Sequence, residues 1–337
     1  MSFSLVNTIY DKTTLPTELN FYKQALKDIQ KHGISSQIYY LLKEQGKLEQ
    51  TPLFFQERLR ESYNECLFQN LFIKNQLEKV LRTFEKIGID VIPLKGTHFS
   101  EKYFGDLGAR ATSDIDLLIR KKDLEMAVNA VKLLGFDNEE GYIKGHFHKS
   151  FSKVIPGSVI PLTIEIHWDL LREDTACLNI NSFWEEAHPI GTFLHIKELS
   201  HYHSFYMICL HGWRHNLGSL KYYLDILQIL TCSGQLLDFQ RLKKELKLHQ
   251  TYKRIIRTLS IVHKEFPNVV ELKQLPLKRG ISYRKRISTN PIMKYSDFIG
   301  YQFLSFDSAN HSIIEFKNWL SLFLTGLRQK QERKLND

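Results

Sequence analysis

The stretch of chain that decides the fold is residues 91–136, which read VIPLKGTHFSEKYFGDLGARATSDIDLLIRKKDLEMAVNAVKLLGF. At its centre, Asp114 and Asp116 flank one apolar residue and lead into the apolar run Leu117-Leu118-Ile119. Alternate residues of a strand point to the same face, so a strand here places the two carboxylates on one face, about 7 Å apart. Oxygen ligands of this kind suit Mg²⁺. Two such ions can bracket the attacking and leaving oxygens of a phosphoryl displacement, so the pattern predicts a metal site for that chemistry.

The residues around this pair predict alternating helices and strands. Apolar residues recur at helical spacing before residue 88, where Gly88 is expected to end a long helix. The predicted elements are helices over 15–87 with a break at 48–55, a strand over 89–94, a turn at 95–97, a helix over 98–104, a loop over 105–113, a strand over 114–120 and a helix over 122–134.

A later strand supplies a third carboxylate. Strands are predicted over 142–154 and 159–168, and in the second of these Thr163, Glu165 and His167 alternate with apolar residues. Glu165 and His167 are therefore expected on one face of that strand. From residue 200 onward, helical spacing dominates again.

Composition points to an ordinary globular protein. The chain has 337 residues, with 43% hydrophobic and 25% charged residues. It contains no apolar run near the roughly 20 residues that span a bilayer, and its start does not resemble a signal peptide. The four cysteines form no CxxC pair, which favours reduced thiols and a cytoplasmic location. The net charge of +9 favours a phosphate-bearing ligand or a polyanion, although solubility alone also explains it.

The order strand, glycine turn, helix, acidic strand, helix and later acidic strand resembles the nucleotidyltransferase superfamily, which includes DNA polymerase beta and the aminoglycoside nucleotidyltransferases. The motifs Leu94-Lys95-Gly96, Ser113-Asp114-Ile115-Asp116 and Glu165-Ile166-His167-Trp168 are more similar to a bacterial branch described as uncharacterised nucleotidyltransferase. The resemblance covers about residues 15–230. Two departures stand out: Gly96-Thr97 replaces the usual Gly-Ser, and the stretch from Gly96 to Asp114 is longer than in many relatives.

The resemblance implies a role for each motif residue. Asp114, Asp116 and Glu165 would hold Mg²⁺ or Mn²⁺ that carries a nucleoside triphosphate, and Glu165 would also help to deprotonate the acceptor. The residues expected to position the nucleotide are Lys95, Gly96, Thr97, Arg110 and Ser113. Gly96 would admit the phosphates, Thr97 would add a hydroxyl donor, and Lys95 and Arg110 would neutralise phosphate charge.

Structural interpretations of the same residues stay open. The Asp114–Asp116 pair is compatible with a solvated turn or a helix cap. Lys95 is equally suited to an ion pair with a neighbouring carboxylate. Arg110 can fix its loop by pairing with Asp106, and Thr97 can act as a helix N-cap.

Three histidines and a buried aspartate complete the predicted substrate pocket. His211 and His215 are four residues apart and are expected on one helix face, where they either line the acceptor side of the cleft or are hydrogen-bonded core residues. Zinc is disfavoured, because neither HExxH nor a cysteine partner accompanies them. Asp225 lies in an apolar helix, so we expect it to have a partner such as one of these histidines. His167 is expected beside Glu165.

The sequence thus predicts an α+β fold with a small mixed β-sheet core at 89–198 and helical regions at 1–88 and 199–337. We expect a Mg²⁺-dependent transfer of a nucleoside monophosphate from a triphosphate to a small molecule, sugar or peptide. Nucleic acid is possible as a partner but not favoured, and the sequence does not reveal the oligomeric state. The basic stretch at 278–286 is compatible with RNA binding but also with solvated surface. The apolar final helix, at 312–327, is expected to pack on the domain rather than on a membrane.

Two rival functions stay open. One is adenylylation of a protein or nucleotide addition to RNA, for which the basic stretch is the motivation. The other is a regulatory module that binds nucleotide without turnover, for which the threonine at position 97 and the longer loop leave room.

Overall fold

A computed structural model of the chain describes residues 2–138, 146–157, 160–269, 271–277 and 291–336. The helices before the sheet are α1 Ser2–Tyr10, α2 Leu19–His32, α3 Ser35–Glu44 and α4 Leu53–Lys86. The central part contains β1 Val91–Pro93, α5 Thr97–Phe99 with a π-helical continuation at Ser100–Phe104, β2 Asp114–Ile119, α6 Leu124–Leu133, β3 Asp137–Asn138, β4 His148–Lys153 and β5 Leu162–His167. The predicted break at 48–55 contains the 3₁₀ turn Leu48–Gln50.

The remaining elements are mostly helical. They are α7 Ile180–Glu185, the two-stranded hairpin β6 His188–Pro189 and β7 Lys197–Glu198, then α8 His201–Arg214, α9 Leu220–Ser233, α10 Phe239–Leu248, α11 Tyr252–Glu265 and further helices at Pro291–Gln302 and Ala309–Asn336. The predicted fold class, α+β with a small mixed sheet and flanking helical regions, is confirmed.

Among the described residues, the main sheet has five strands in the order β1-β2-β5-β4-β3. Strands β2 and β5 pair in parallel, and the other neighbours pair antiparallel. The connection from β2 to β5 contains α6, as a parallel crossover requires. The parallel register aligns Asp116 with Glu165 and Leu118 with His167. This register decides which polar side chains meet.

One face of the sheet forms the core, and the other carries the polar residues. Ile115 and Leu117 of β2 and Ile164 and Ile166 of β5 are buried against a stripe of α4 and the apolar face of α6. Because successive side chains of a strand point to opposite faces, Asp114, Asp116, Glu165 and His167 lie on the other face of the sheet. Each fully buried isoleucine stabilises the fold by about 1.5–3 kcal/mol. Because a slip by one residue would exchange the two faces, the register is strongly specified.

Helix α4 supports the sheet and also the loop that precedes β2. Its buried residues recur at helical spacing along 34 residues and are Phe55, Leu59, Cys66, Asn70, Ile73, Leu77, Val80 and Phe84. Asn70 is the polar member of this stripe and is fully buried. Its amide donates to the carbonyl oxygens of Leu107 and Arg110 at 2.6 and 2.8 Å, so the helix fixes the path of the loop.

The chain divides into two compact units. The first consists of Met1–Leu170, Ile180–Gly212 and Leu217–Leu237, and it contains the main sheet. The second consists of Leu171–Asn179, Trp213–Asn216 and Asp238–Asp337. The predicted regions, divided at residues 88 and 198, are defined by the change from helices to strands and back. The two units are defined by which residues pack together, so they do not test the three predicted regions, which stay a prediction.

Within the second unit, aromatic rings contact one another along the last two helices. Phe303 lies 5.7 Å from Trp319 and 5.4 Å from Phe316 between ring centroids. The final helix is longer than predicted, and Phe316 and Phe323 are still about half exposed. The predicted basic stretch at 278–286 lies outside the described residues. Among the residues that are described, no helix combines the length and apolar character needed to cross a bilayer.

Candidate functional site

The acidic residues meet where β2 and β5 run side by side in the first unit. Asp116 is aligned with Glu165 across the strand pair, and Asp114 is aligned with Thr163. The side chain of Asp116 is fully buried, whereas those of Asp114 and Glu165 are 34% and 27% exposed. The structure therefore places Glu165 directly beside Asp116, and Asp114 two residues back on the same face. Solvent therefore reaches this face at Asp114 and Glu165.

Lys95 forms ion pairs with two carboxylates of the acidic face. Its ammonium lies 2.8 Å from Asp116 Oδ2 and 3.8 Å from Asp114 Oδ2. The turn that carries Lys95 is fixed to β2, because the Leu94 N–H donates to the Asp116 carbonyl oxygen at 3.0 Å. Burial acts to lower the pKa of Lys95, but the charges of Asp116 and Asp114 outweigh it and raise the pKa. Of the two interpretations left open for Lys95, the ion pair is the one observed, and phosphate contact stays a prediction.

His167 lies on the opposite side of Asp116. Its Nε2 lies 3.1 Å from Glu165 Oε2 and 3.3 Å from Asp116 Oδ1. Burial acts to lower the pKa of His167, but the hydrogen bonds to Asp116 and Glu165 raise it. The ring stacks on His148 with centroids 5.0 Å apart. His167 was predicted in the substrate pocket beside Glu165, and the structure puts it between Glu165 and Asp116.

Lys95 and His167 both favour the charged form of the neighbouring carboxylates. Burial would raise the pKa of Asp116, but Lys95 and then His167 hold that pKa far below its usual range. Burial likewise acts to raise the pKa of Glu165, and its hydrogen bond from His167 lowers it. Ligand atoms of Asp116, Glu165 and His167 all lie within 4.8 Å of one another, a spacing at which they can hold one metal ion. The set of ionised oxygens fits a hard divalent cation.

The turn at Gly96 shows why that position requires glycine. Its backbone has φ +71° and ψ −136°, a conformation that residues with a Cβ rarely adopt. A Cβ there would also lie 3.2 Å from Thr112 Cγ2. Thr97 is the first residue of α5 and is buried, and Gly96 occupies the cap position without a side-chain bond. The alternative interpretation of Thr97 as the N-cap is therefore wrong, because the helix begins at Thr97 itself.

Thr97 also contributes to a cavity of about 250 Å³ beside this turn. The walls come from α4, from the segment after β1 and from the β6–β7 hairpin, and the lining residues include Leu77, Leu81, His98 and Phe193. None of the three carboxylates belongs to that lining. The cavity is thus a neighbour of the acidic face and not part of it.

Arg110 pairs with Asp225. Its Nε and Nη2 donate to the two Asp225 carboxylate oxygens at 2.7 and 2.8 Å, and both residues are buried. The suggested partner Asp106 instead accepts hydrogen bonds from the Tyr63 hydroxyl and the Gly108 N–H. Asp225 thus has the partner that its burial predicts, but this partner is Arg110 and not one of the suggested histidines, since both carboxylate oxygens accept from the guanidinium. A role for Arg110 and Asp225 in substrate binding stays a prediction.

The other predicted site residues are more dispersed. Ser113 is exposed, with its hydroxyl 3.3 Å from Asp114 Oδ1. His211 packs edge-on against Tyr222, with centroids 5.2 Å apart. His215 does not share a helix face with His211, because α8 ends at Arg214 and His215 lies in the following turn, in the second unit. Positive φ angles at Asn216 and Leu217 accompany this end of the helix.

Comparison with protein families places most of the chain in one family. The family model described as uncharacterised nucleotidyltransferase matches residues 22–267. The chain belongs to this family. Neither the curated proteins nor the solved structures gave a match.

Lys221 is a residue of this nucleotidyltransferase that sequence reasoning missed. Its ammonium donates to the Ala111 carbonyl oxygen at 2.7 Å, so it holds the loop that leads into β2. Burial first, and then the positive charge of Arg110, lower the pKa of Lys221 to about 8. The signal was available, because Lys221 precedes Asp225 by four residues and the two share one face of α9.

Proposed function

We propose that this protein is a Mg²⁺- or Mn²⁺-dependent nucleotidyltransferase that moves a nucleoside monophosphate from a nucleoside triphosphate to an acceptor hydroxyl or phosphate. The bond between the α-phosphorus and its bridging oxygen breaks, and pyrophosphate leaves with the electron pair. A new bond forms between the acceptor oxygen and the α-phosphorus. The acceptor is a small molecule, a sugar or a peptide, and the reaction is proposed for the cytoplasm.

The observation that carries the proposal is the alignment of Asp116 with Glu165 on adjacent parallel strands, with Asp114 on the same face. These three carboxylates would hold the metal, and the lowered pKa values of Asp116 and Glu165 favour the charged oxygens that a hard divalent cation prefers. When bound, two such ions neutralise triphosphate charge and stabilise both the attacking and the leaving oxygens. Family membership supports the same class of reaction.

The other steps, which are proton transfer, phosphate binding and positioning of the carboxylates, would be performed by residues of the chain itself. Glu165, which is partly exposed, would accept the acceptor's proton. The turn at Gly96 leaves room for phosphate oxygens close to the backbone. Lys95 would move its ammonium from Asp116 toward the phosphates and so keep positive charge beside the reacting group. Arg110 and Lys221 hold the loop before β2 and so position Asp114.

The first test is binding of labelled nucleoside triphosphates in the presence of Mg²⁺ or Mn²⁺, followed by pyrophosphate release with candidate acceptors. Asp114→Asn is the best variant, because its side chain is partly exposed and the change keeps its shape. Asp137→Asn is the matched control, since Asp137 is an exposed carboxylate on β3, an edge strand of the same sheet. The proposal expects metal-dependent nucleotide binding that is lost in Asp114→Asn and kept in Asp137→Asn. A wild-type protein that binds no nucleotide with either metal would refute it.

A further inference from the structure

Asp116 presents its two oxygens to two different basic side chains. Oδ2 lies 2.8 Å from the Lys95 ammonium, on the side of Asp114. Oδ1 lies 3.3 Å from His167 Nε2, on the side of Glu165. One buried carboxylate therefore separates two positions at which positive charge is stabilised. Lys95 belongs to the position shared with Asp114, and His167 belongs to the one shared with Glu165.

The second position has the composition of a metal site with a nitrogen ligand. Oxygen atoms of Asp116 and Glu165 and a nitrogen of His167 lie within 4.8 Å of one another. Octahedral coordination with bonds of about 2.1 Å places adjacent ligand atoms about 3.0 Å apart. The separations of Nε2 from the two carboxylate oxygens, 3.1 and 3.3 Å, are close to that spacing.

The His167 ring is directed into this position and packs against His148 and Phe147. The residue is only 5% exposed. Among the described residues, Nε2 is the ring nitrogen with hydrogen-bond partners, and Nδ1 is buried without one. Stacking of His148 on the ring restricts its rotation. The ring thus aims one nitrogen between two carboxylates, as a metal ligand would.

We infer that Asp116, Glu165 and His167 form a mixed oxygen–nitrogen cation site in which His167 Nε2 is a metal ligand and which takes Mn²⁺ in preference to Mg²⁺. Magnesium is bound by oxygen ligands and keeps several waters. Carboxylates suit both ions, but replacing one oxygen ligand by an imidazole disfavours Mg²⁺ more than the transition metal Mn²⁺, so this set favours Mn²⁺ over Mg²⁺. The inference rests on the proposed function, because it assigns a metal preference and an added ligand to the same acidic face.

The direct test is pulsed electron paramagnetic resonance of Mn²⁺ bound to the full chain without nucleotide. We expect a nitrogen coupling in the wild type that changes when all histidines carry ¹⁵N. His167→Gln should abolish this coupling and weaken Mn²⁺ binding by at least roughly 10-fold, because loss of an outer-shell partner of a metal-bound histidine alone costs roughly 10–100-fold. By calorimetry, Mg²⁺ binding should change less. His188→Gln is the matched control, since His188 is exposed on β6, and it should keep the coupling.

The outcomes separate this inference from the proposed function. Bound Mn²⁺ without nitrogen coupling in the wild type overturns the inference, and so does coupling that persists in His167→Gln. If His167→Gln fails to fold, the ¹⁵N labelling of the wild type decides alone. Nitrogen-coupled Mn²⁺ in a protein that binds no nucleotide supports the inference while the proposed function fails. Nucleotide transfer with no nitrogen coupling supports the function while the inference fails.

Discussion

The buried pair between Arg110 and Asp225 gives the sharpest prediction about stability. Both residues are nearly inaccessible, and two charge-assisted hydrogen bonds of 2.7 and 2.8 Å join them. Such bonds contribute about 1.5–3 kcal/mol each. Removing one partner of a buried ion pair typically costs 3–5 kcal/mol, because the other charge stays buried without compensation. We therefore expect Asp225→Asn and Arg110→Gln each to lower the free energy of unfolding by about 3–5 kcal/mol.

The assay is chemical denaturation followed by circular dichroism, together with thermal melting and hydrogen exchange. A loss of this size lowers Tm by roughly 6–20 °C in a unit of about 220 residues. The rate of backbone amide hydrogen exchange should rise most in the segment 105–113, because the pair with Asp225 holds this segment through Arg110. Glu61→Gln is the matched control: the Arg58–Glu61 pair is 57% exposed at both side chains, and exposed pairs contribute about 0.2–1 kcal/mol.

A double-mutant cycle distinguishes a structural pair from two independent residues. If the pair is coupled, Arg110→Gln/Asp225→Asn should cost less than the sum of the two single variants, with a coupling energy of about 2–3 kcal/mol. Additive losses would refute the reasoning. So would a stable Arg110→Gln protein that has lost nucleotide binding while Asp225→Asn keeps it, since that result would make Arg110 a phosphate ligand instead of a support for the loop.

Two further predictions concern the turn and the acidic face. Gly96→Ala should destabilise the protein by about 1–3 kcal/mol in denaturation experiments, because alanine rarely adopts the positive φ of this position and its Cβ would lie close to Thr112. A denaturation midpoint equal to that of the wild type would contradict this. In metal-free protein, the raised pKa of His167 contributes stability that is fully present below its usual value of 6.5 and is lost as pH rises through the folded-state pKa. Melting temperatures should therefore fall with rising pH above 6.5, and His167→Gln should flatten that profile; an unchanged profile in the variant would count against the assignment.

Much of the acidic face follows from local sequence rules. The alternation of carboxylates with apolar residues at 114–119 and 162–167 places Asp114, Asp116, Glu165 and His167 on polar faces, as the structure has them. The pairing of the two strands does not follow from alternation, because their separation along the chain leaves the register undetermined. Resemblance to a family with a third carboxylate supplied that step. The aligned register of Asp116 and Glu165 then brings the side chains together.

Long-range partners were harder to predict. Local reasoning suggested Asp106 for Arg110 because it lies four residues away, whereas the observed partner Asp225 lies 115 residues away. Only packing of α9 against the loop brings that carboxylate to the guanidinium. His215 illustrates a different difficulty. Helical spacing continues through it, but the helix ends at Arg214, and such boundaries depend on backbone conformations that side-chain periodicity does not report.

The placement of Lys95 and His167 explains how such an acidic face stays folded in the absence of metal. A buried Asp116 beside Glu165 would be strongly unfavourable unless positive charge compensated it. Lys95 supplies that charge on one side, and His167, whose pKa is raised by Asp116 and Glu165, lies against the other oxygen of Asp116. A divalent ion that enters this face must therefore compete with groups that already stabilise it. The same arrangement lets a buried carboxylate remain ionised and ready to bind a cation, which an unpaired buried aspartate could not do.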